Sequence, residues 1–560
     1  MMITKIKTYI LIGGLAFTLG SCNKNYLEKL PLDSPSSETF LKNEEQLEMA
    51  VTGAYNALYS TPRATPMPFA LTLDYASDIG WERNTNALQQ LGMGLADANN
   101  EFTFDVWEML YIGIGRCNEI LTKAPALEGV VAEEKLKTRL AEVRFMRAYF
   151  YFYLNELYGG VPLLTKVYQL SEAQIPKKTK SEVSNFIIAE LKEISEILPK
   201  EYVGENKGRA TKGAALALLS RNALFNKQWK EAAEAAQKVI DMNKYELHTN
   251  FEQLFKYAGE DSKEIIWNVQ YKKGLKTHSI SSQFYSRLMQ GFSNKIPVQS
   301  LVDSYECTDG LSIDKSTVYD PKNPFKNRDP RLTQSIVLPQ TVFLGAMFET
   351  HPDSTMTWDF TGPTPKRIAN IDATNAFATF SGYLWRKYAD DMDKPDRTNS
   401  ELKPILFRYA EVLLNYVEAK AELGEIDKSV YDAINAVRQR PSVNMPAIAT
   451  GKTQSEMRSA VRKERKYELA GEGLRLFDIR RWGIAEKVMA GKLLGRIPKA
   501  WLSNAPIIDE NGTPSYNSVV NGDQMRVIEV RVFNPKRDYV WPIPRIETEV
   551  NKVLDQNDLY

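Results

Sequence analysis

The 560-residue sequence predicts a mostly α-helical protein, built from helical hairpins around a loop-rich region with minor β-structure. Three observations predict it. Helical periodicity dominates both ends of the chain, residues 211–240 read as a complete helical hairpin, and residues 262–400 are dense in Pro, Gly and aromatics with few long apolar periods. The composition, 43% hydrophobic and 25% charged, excludes wholesale disorder and collagen-like repetition. Lys+Arg is 71 against Asp+Glu 70, so no long-range basic field favours nucleic acid as a partner.

The first 21 residues read as an export leader. Lys5 and Lys7 precede an eleven-residue apolar run, Ile10 to Gly20, too short for the roughly 20 residues of a bilayer span. The run ends in Leu19-Gly20-Ser21-Cys22, which looks like a bacterial lipobox with Cys22 as the lipidated first residue of the mature chain. A plain secretory signal with an incidental cysteine is the alternative. Cleavage before Cys22 removes two lysines and no acids, turning the formal charge from +1 to −1. Asn23 to Ser37 is polar and holds Pro31 and Pro35, as a tether would. No later apolar stretch is long enough to cross a membrane. Cys117 and Cys307 are then the remaining thiols, expected buried and free, because nothing in the sequence brings them together.

The first helix is expected to start at Asn43, whose side chain can cap, with Glu44 and Glu45 in the first turn and Gln46 three residues on. Leu47, Val51, Ala54 and Leu58 then share one face. Helices follow over Trp107 to Leu121 and Glu133 to Tyr158. The second is apolar all round from Ala148 to Leu154, which argues for burial between neighbours, and Gly159-Gly160 with Pro162 stops it. Thr211 caps a helix carrying Ala214, Ala217, Leu218 and Leu224. After the Asn226-Lys227-Gln228 turn, Trp229, Ala233, Ala236 and Ile240 line the return helix. Small alanines at the closest approach and a large aromatic at the opening follow tetratricopeptide-type packing. A late hairpin is expected from Ile405 to Leu423, a Gly424 stop, and Tyr431 to Arg438. Between the helical regions, Glu264 to Tyr271 alternates like a strand. Residues 60–105 and 291–365 read as long irregular loops, which in compact proteins are usually functional or disordered.

Several segments together resemble the SusD/RagB family of nutrient-capturing outer-membrane lipoproteins. They are Trp107, Tyr111 and Asn118; Arg144-Phe145-Met146-Arg147-Ala148-Tyr149; and Leu157 to Leu163. In the second half they are Asp309-Gly310, Arg328-Asp329-Pro330-Arg331-Leu332, Gly382-Tyr383 with Arg386-Lys387-Tyr388, and Arg408 to Leu414. Glu464 to Ala470, Glu472-Gly473, Phe477 to Trp482, Trp541-Pro542-Ile543-Pro544 and Gln556-Asn557 complete the series. The resemblance implies a SusD-like tetratricopeptide scaffold, divided into a leader (1–21), an N-terminal helical region (22–260) and a C-terminal region with loop insertions (261–560). It further implies a lipid-anchored, surface-facing outer-membrane protein that passes an oligosaccharide to a SusC-like TonB-dependent transporter as its lid. No catalysis, cofactor or metal is implied. Peptide cargo on the same architecture, a pure repeat scaffold for protein partners and a glycoside hydrolase are the alternatives.

The residues themselves offer little chemistry. Arg328-Asp329-Pro330-Arg331 reads as a turn with clamping arginines, and Arg465/Glu468 and Glu472/Arg475 as i, i+3 salt bridges on one helix from Glu464 to Arg481. His248, His278 and His351 are far apart, with no His-Glu-x-x-His, nucleophile elbow or phosphate loop. Gly113-Ile114-Gly115 lacks the third glycine of a dinucleotide fingerprint. Sugar binding needs aromatic faces with amides and carboxylates beside them. The best local match is Asp74 to Asn86, with Tyr75, Asp78, Trp81, Asn84 and Asn86 as candidates. The family's central loops add Tyr285, Phe292 and Trp358.

Overall fold

The computed structural model describes residues 40–63 and 67–560; the leader, Cys22 and the tether lie outside the described residues. Helix α1 (Glu44–Tyr55) starts at the expected cap: Asn43 accepts the Gln46 N–H at 2.9 Å, and the Gln46 side chain accepts the Lys42 N–H at 2.7 Å. Leu47, Val51 and Ala54 are buried, while Leu58 lies in a 3₁₀ turn beyond the helix. After the short α2 (Ala87–Met93), α3 (Glu101–Lys123) begins one and a half turns before Trp107, because Asn100 caps it by accepting the Thr103 N–H at 3.1 Å. The partner of α3 is α4 (Glu133–Tyr158), buried on every side from Phe145 to Tyr158. A Cβ at Gly113 would stand 2.6 Å from the Phe150 ring, so this glycine sets the approach of α3 to α4. That packing role absorbs the Gly113-Ile114-Gly115 motif.

The scaffold continues through α5 (Lys180–Ser195), α6 (Lys212–Phe225) and α7 (Trp229–Asp241), each packed on the one before. Thr211 caps α6 as expected. The late hairpin is α8 (Tyr409–Glu422) and α9 (Lys428–Arg438), and α8 packs against α6, α7 and α10 (Gln454–Leu469). Ile405 to Arg408, expected to open α8, is instead a strand, paired antiparallel with Ile265–Asn268 inside the expected strand. The β-branched Ile405 and aromatic Phe407 suit that pleat.

One apolar core runs across the 260/261 boundary. Phe152 and Phe225 meet Phe477 at 6.1 and 5.7 Å, and Phe145 stands edge-on to Trp267 at 4.9 Å. The chain end clasps α4: Asn557 donates to the carbonyls of Tyr158 and Trp541, and the Trp541 ring packs on Tyr158. Cys117 and Cys307 are buried and free.

The motif-bearing charges form a buried network. Arg331 bridges Asp329, Glu464 and Glu468; Arg408 bridges Glu264, Glu468 and Glu472; Arg440 bridges Glu264 and Glu468. Three guanidiniums hold the Glu468 carboxyl far below the carboxylate range against its burial. Arg328 donates to the carbonyls of Pro324, Val302 and Tyr305, the clamping role the sequence suggests. The expected i, i+3 pairs do not form. Within α10 Glu468 is taken by Arg331, Arg408 and Arg440, and Arg465 turns to Asp478; the chain leaves helix after Leu469 and re-enters at α11 (Arg475–Arg481), so Glu472 turns to Arg408 and Lys387, and Arg475 to Asp78.

Small sheets sit on this scaffold. Strands β1 (Gly80–Glu82), β2 (Ile265–Asn268) and β3 (Lys295–Pro297) are short, with β1 antiparallel to β3 in the register Trp81 to Ile296. A four-stranded meander follows, from β4 (Thr341–Phe343) and β5 (Ala346–Phe348) to β6 (Met356–Asp359) and β7 (Lys366–Ala369). The strand β8 (Ile405–Arg408) pairs with β2, and β9 (Gly491–Leu494) with β10 (Val527–Arg531). No helix among the described residues is long and apolar enough to cross a membrane.

Candidate functional site

The Asp74 to Asn86 segment is mostly an interior strut. The Asp74 carboxylate accepts the N–H groups of Gly471, Gly473 and Arg475. Asp78 takes both arms of Arg475 at 2.8 Å. Tyr75 is buried, and Glu82 is ion-paired with the buried Lys295 at 2.6 Å. Trp81 is only 4% exposed; its indole N–H donates to Glu529 at 2.7 Å and its ring lies 5.4 Å from Phe380. In the central region Tyr285 is buried, its hydroxyl donating to the Asp390 carbonyl. Ligand-facing roles for Tyr75, Asp78, Trp81 and Tyr285 therefore give way to structural ones, since no ligand reaches a side chain already enclosed and hydrogen-bonded.

The other four candidates lie further out. Asn84 is exposed, and Asn86 caps α2 by accepting the Gln89 N–H at 3.0 Å. Phe292 is 43% exposed, and Trp358 is 40% exposed on β6, where Arg367 lies 5.2 Å over its ring. No metal-holding group of His, Cys, Asp and Glu occurs among the described residues, and His278 sits in the core with Nε2 on the Leu402 carbonyl.

Above the Trp81 strut the loops leave a cleft of about 90 Å³, lined among others by Thr350, Asp372, Asn375, Phe380, Arg496 and Arg526. Its aromatic and cationic groups are interleaved. The Arg526 guanidinium lies 4.1 Å over the Phe380 ring and forms no hydrogen bond or ion pair among the described residues. Arg496 stacks 4.4 Å from Trp501 and donates to the Thr350 hydroxyl at 2.7 Å, while its buried Nε has no partner. Gly382, at φ +89°, leaves the space its stem fills: a Cβ there would be 2.4 Å from Arg496 Cδ. At the edge, Arg83 covers Phe377, which is 60% exposed, and donates to its carbonyl. Burial pushes Arg496 and Arg526 below the usual arginine range; burial and the neighbouring Arg287 do the same to Arg83.

Asp372 is the only carboxylate lining the cleft. It is buried, with Oδ1 accepting the Leu288 N–H at 2.9 Å, and burial pushes it up to about 6. Trp81 supports this arrangement from beneath, touching Phe380 on one side and Glu529 of β10 on the other. Arg526 immediately precedes that strand.

Larger grooves of about 460 and 520 Å³ lie on the scaffold beside β2, sharing Lys207, Glu260, Gln270 and Lys403. Their charges are largely spent on each other: Lys207 pairs with Asp261, Lys403 with Glu260 and Lys244 with Glu201. Trp267 reaches the first groove but is buried. The loop cleft differs in having exposed Phe377 at its edge and cations that form no ion pair.

Sequence reasoning missed Phe377, Phe380, Arg496 and Arg526. They carry no motif, and Arg83 meets Phe377, and Arg526 meets Phe380, only through the fold.

Comparison with known proteins agrees with the architecture. The SusD family profile matches residues 263–560, and a profile described as starch-binding, associating with the outer membrane, matches residues 25–224. A SusD-like protein of Formosa agariphila, P25, is 27% identical over 86% of this chain and 90% of its own. A SusD-like carbohydrate-binding protein from Bacteroides fragilis superposes with a TM-score of 0.78 at 29% identity, covering 92% of this chain and 99% of that one. A second SusD-like structure from that organism gives 0.74 at 25% identity, covering 95% and 100%. Scaffold, chain order and buried motif network thus converge, and the chain belongs to the SusD family.

Proposed function

We propose that this protein captures an oligosaccharide on the loop cleft and hands it to a SusC-like TonB-dependent transporter, whose lid it forms, without catalysis or cofactor. Lipid on Cys22 would hold it to the outer membrane, facing the cell surface. The observation that carries the reading is the cleft itself: exposed Phe377 at its edge is open to stacking on a sugar face, and half-buried Phe380 lines the wall with arginine and amide donors beside it. The carbohydrate-binding description of the similar B. fragilis protein supports the same cargo class. A shallow platform of this kind binds weakly per sugar and gains from several subsites along one chain. Exposed Phe292 and Trp358 are candidates for such outer subsites.

Affinity electrophoresis against a panel of polysaccharides tests it. Retardation by one glycan class, reduced about tenfold or more in Phe377→Ala/Phe380→Ala, is the expected result. No retardation by any glycan moves the cargo to peptide or another nutrient. The transporter claim is tested separately by co-purification with the partner.

A further inference from the structure

The cleft is unusual within this molecule for its arginines. In the scaffold, Arg139, Arg144, Arg221, Arg331, Arg408 and Arg440 each meet a carboxylate within 3.0 Å. Around the cleft the pattern reverses. None of Arg83, Arg287, Arg367, Arg496 and Arg526 forms an ion pair with a described residue. They rest on aromatic rings or on backbone carbonyls instead. A guanidinium stacked by its face on a ring keeps its N–H edge free, and that edge matches the two oxygens of a carboxylate or sulfate.

The surrounding acids form no ion pair with these arginines, although Asp372 lies near Arg287 and Glu349 near Arg496. Asp372 is buried with Oδ1 accepting the Leu288 N–H, and Asp353 is held by Lys499 at 2.9 Å. The Glu349 carboxylate accepts the His351 N–H at 2.8 Å. Arg496 also lines the cleft without an ion pair, and its Nε has no partner, as is true of several scaffold arginines such as Arg328 and Arg440. A donor buried without an acceptor is costly unless a ligand supplies one. A sugar hydroxyl can accept from such a donor, but a charged oxygen makes a bond about twice as strong.

Resting on the glycan reading above, we infer that the captured glycan is anionic, with a carboxylate or sulfate ester seated at Arg526 beside Arg496 while a sugar ring stacks on the exposed Phe377. Arg83 and Arg287 flank this seat and extend the positive edge toward neighbouring residues of the same polymer.

The test uses the full-length chain in detergent, titrated with polygalacturonate, with its carboxyl-reduced neutral form, with a sulfated galactan and with the desulfated galactan. One acidic polymer should bind at least about tenfold more tightly than its neutral counterpart, and weaken as salt rises. Which of the two binds separates carboxylate from sulfate. Arg526→Ala should cost about tenfold or more, and Arg526→Lys, which keeps the charge but loses the fork, a smaller factor. Should Arg526→Ala fail to fold, the Lys variant carries the same comparison. Equal binding of acidic and neutral forms, or an Arg526→Ala affinity equal to wild type, overturns the anionic seat and leaves glycan capture standing. Binding of no polymer in either form overturns the anionic seat, and the polysaccharide panel above then decides whether glycan capture stands.

Discussion

The scaffold and the loop face use the same side chains in opposite ways. Arg408 lies in the core with Glu264, Glu468 and Glu472 around it, whereas Arg526 lies at the surface with only the Phe380 ring beneath it. Trp541 and Trp267 fill the interior, while Phe377 and Trp358 stand open. A buried charge must be neutralised by its own protein, because desolvating it alone costs several kcal/mol. A surface charge left unpaired costs almost nothing, since water solvates it, and remains available to a ligand. Paired and enclosed charges therefore mark what holds the fold, and unpaired, ring-supported ones mark what the fold presents.

The contrast is broken most severely at the centre of the network. Glu468→Gln leaves Arg331, Arg408 and Arg440 short of a counter-charge, and should lower unfolding free energy by about 3–5 kcal/mol in a urea titration. Trp81→Phe comes next. It keeps an aromatic under Phe380 but removes the donor to Glu529, so about 1–3 kcal/mol of stability should go while glycan affinity changes little. A strong affinity loss with unchanged stability would put Trp81 back among the ligand contacts.

Lys466 sharpens the comparison as an exception. It is buried with no ion pair in the described structure and donates to the Gly512 carbonyl at 2.9 Å, and burial with Arg475 nearby pushes it down to about 7. Unfolded, it titrates near 10.4, so between about pH 7 and 10 the unfolded chain holds a proton that the folded chain has lost. This group then makes stability rise with pH by about 1.4 kcal/mol per unit across that window and leaves it flat below. Lys466→Met should flatten the rise between pH 7 and 9, read by urea midpoints at each pH. The smallest stability effect belongs to Phe377→Ala on the open face, within about 0.5 kcal/mol, although it should weaken glycan binding.

How much of this was legible in the sequence follows the same division. Local signals reported the scaffold well: the Asn43 and Thr211 caps, the all-round burial of α4 and the alanine-lined hairpin each depend on residues a few positions apart. They failed where tertiary pairing overrides local spacing, as at Ile405 to Arg408 and in the charge pairs around Ala470 to Leu474. The proposed ligand face was half legible. The Asp74 to Asn86 segment does lead to it, but aromatic and acidic density cannot tell a strut from a platform. Trp81 and Tyr285 are inside because Glu529 and the Asp390 carbonyl, distant in sequence, satisfy their polar tips. Phe380 and Arg526 come together only through the Gly495–Arg526 and Arg496–Ser381 backbone bonds, which no spacing announces.

The central claim is that cargo is held at the loop cleft and not in the larger scaffold grooves. Hydrogen exchange of the protein with and without its retarding glycan tests that directly. The account predicts slowed exchange across residues 372–382 and 496–526, with residues 200–210 and 257–276 unchanged. Protection confined to the second pair of segments would contradict it.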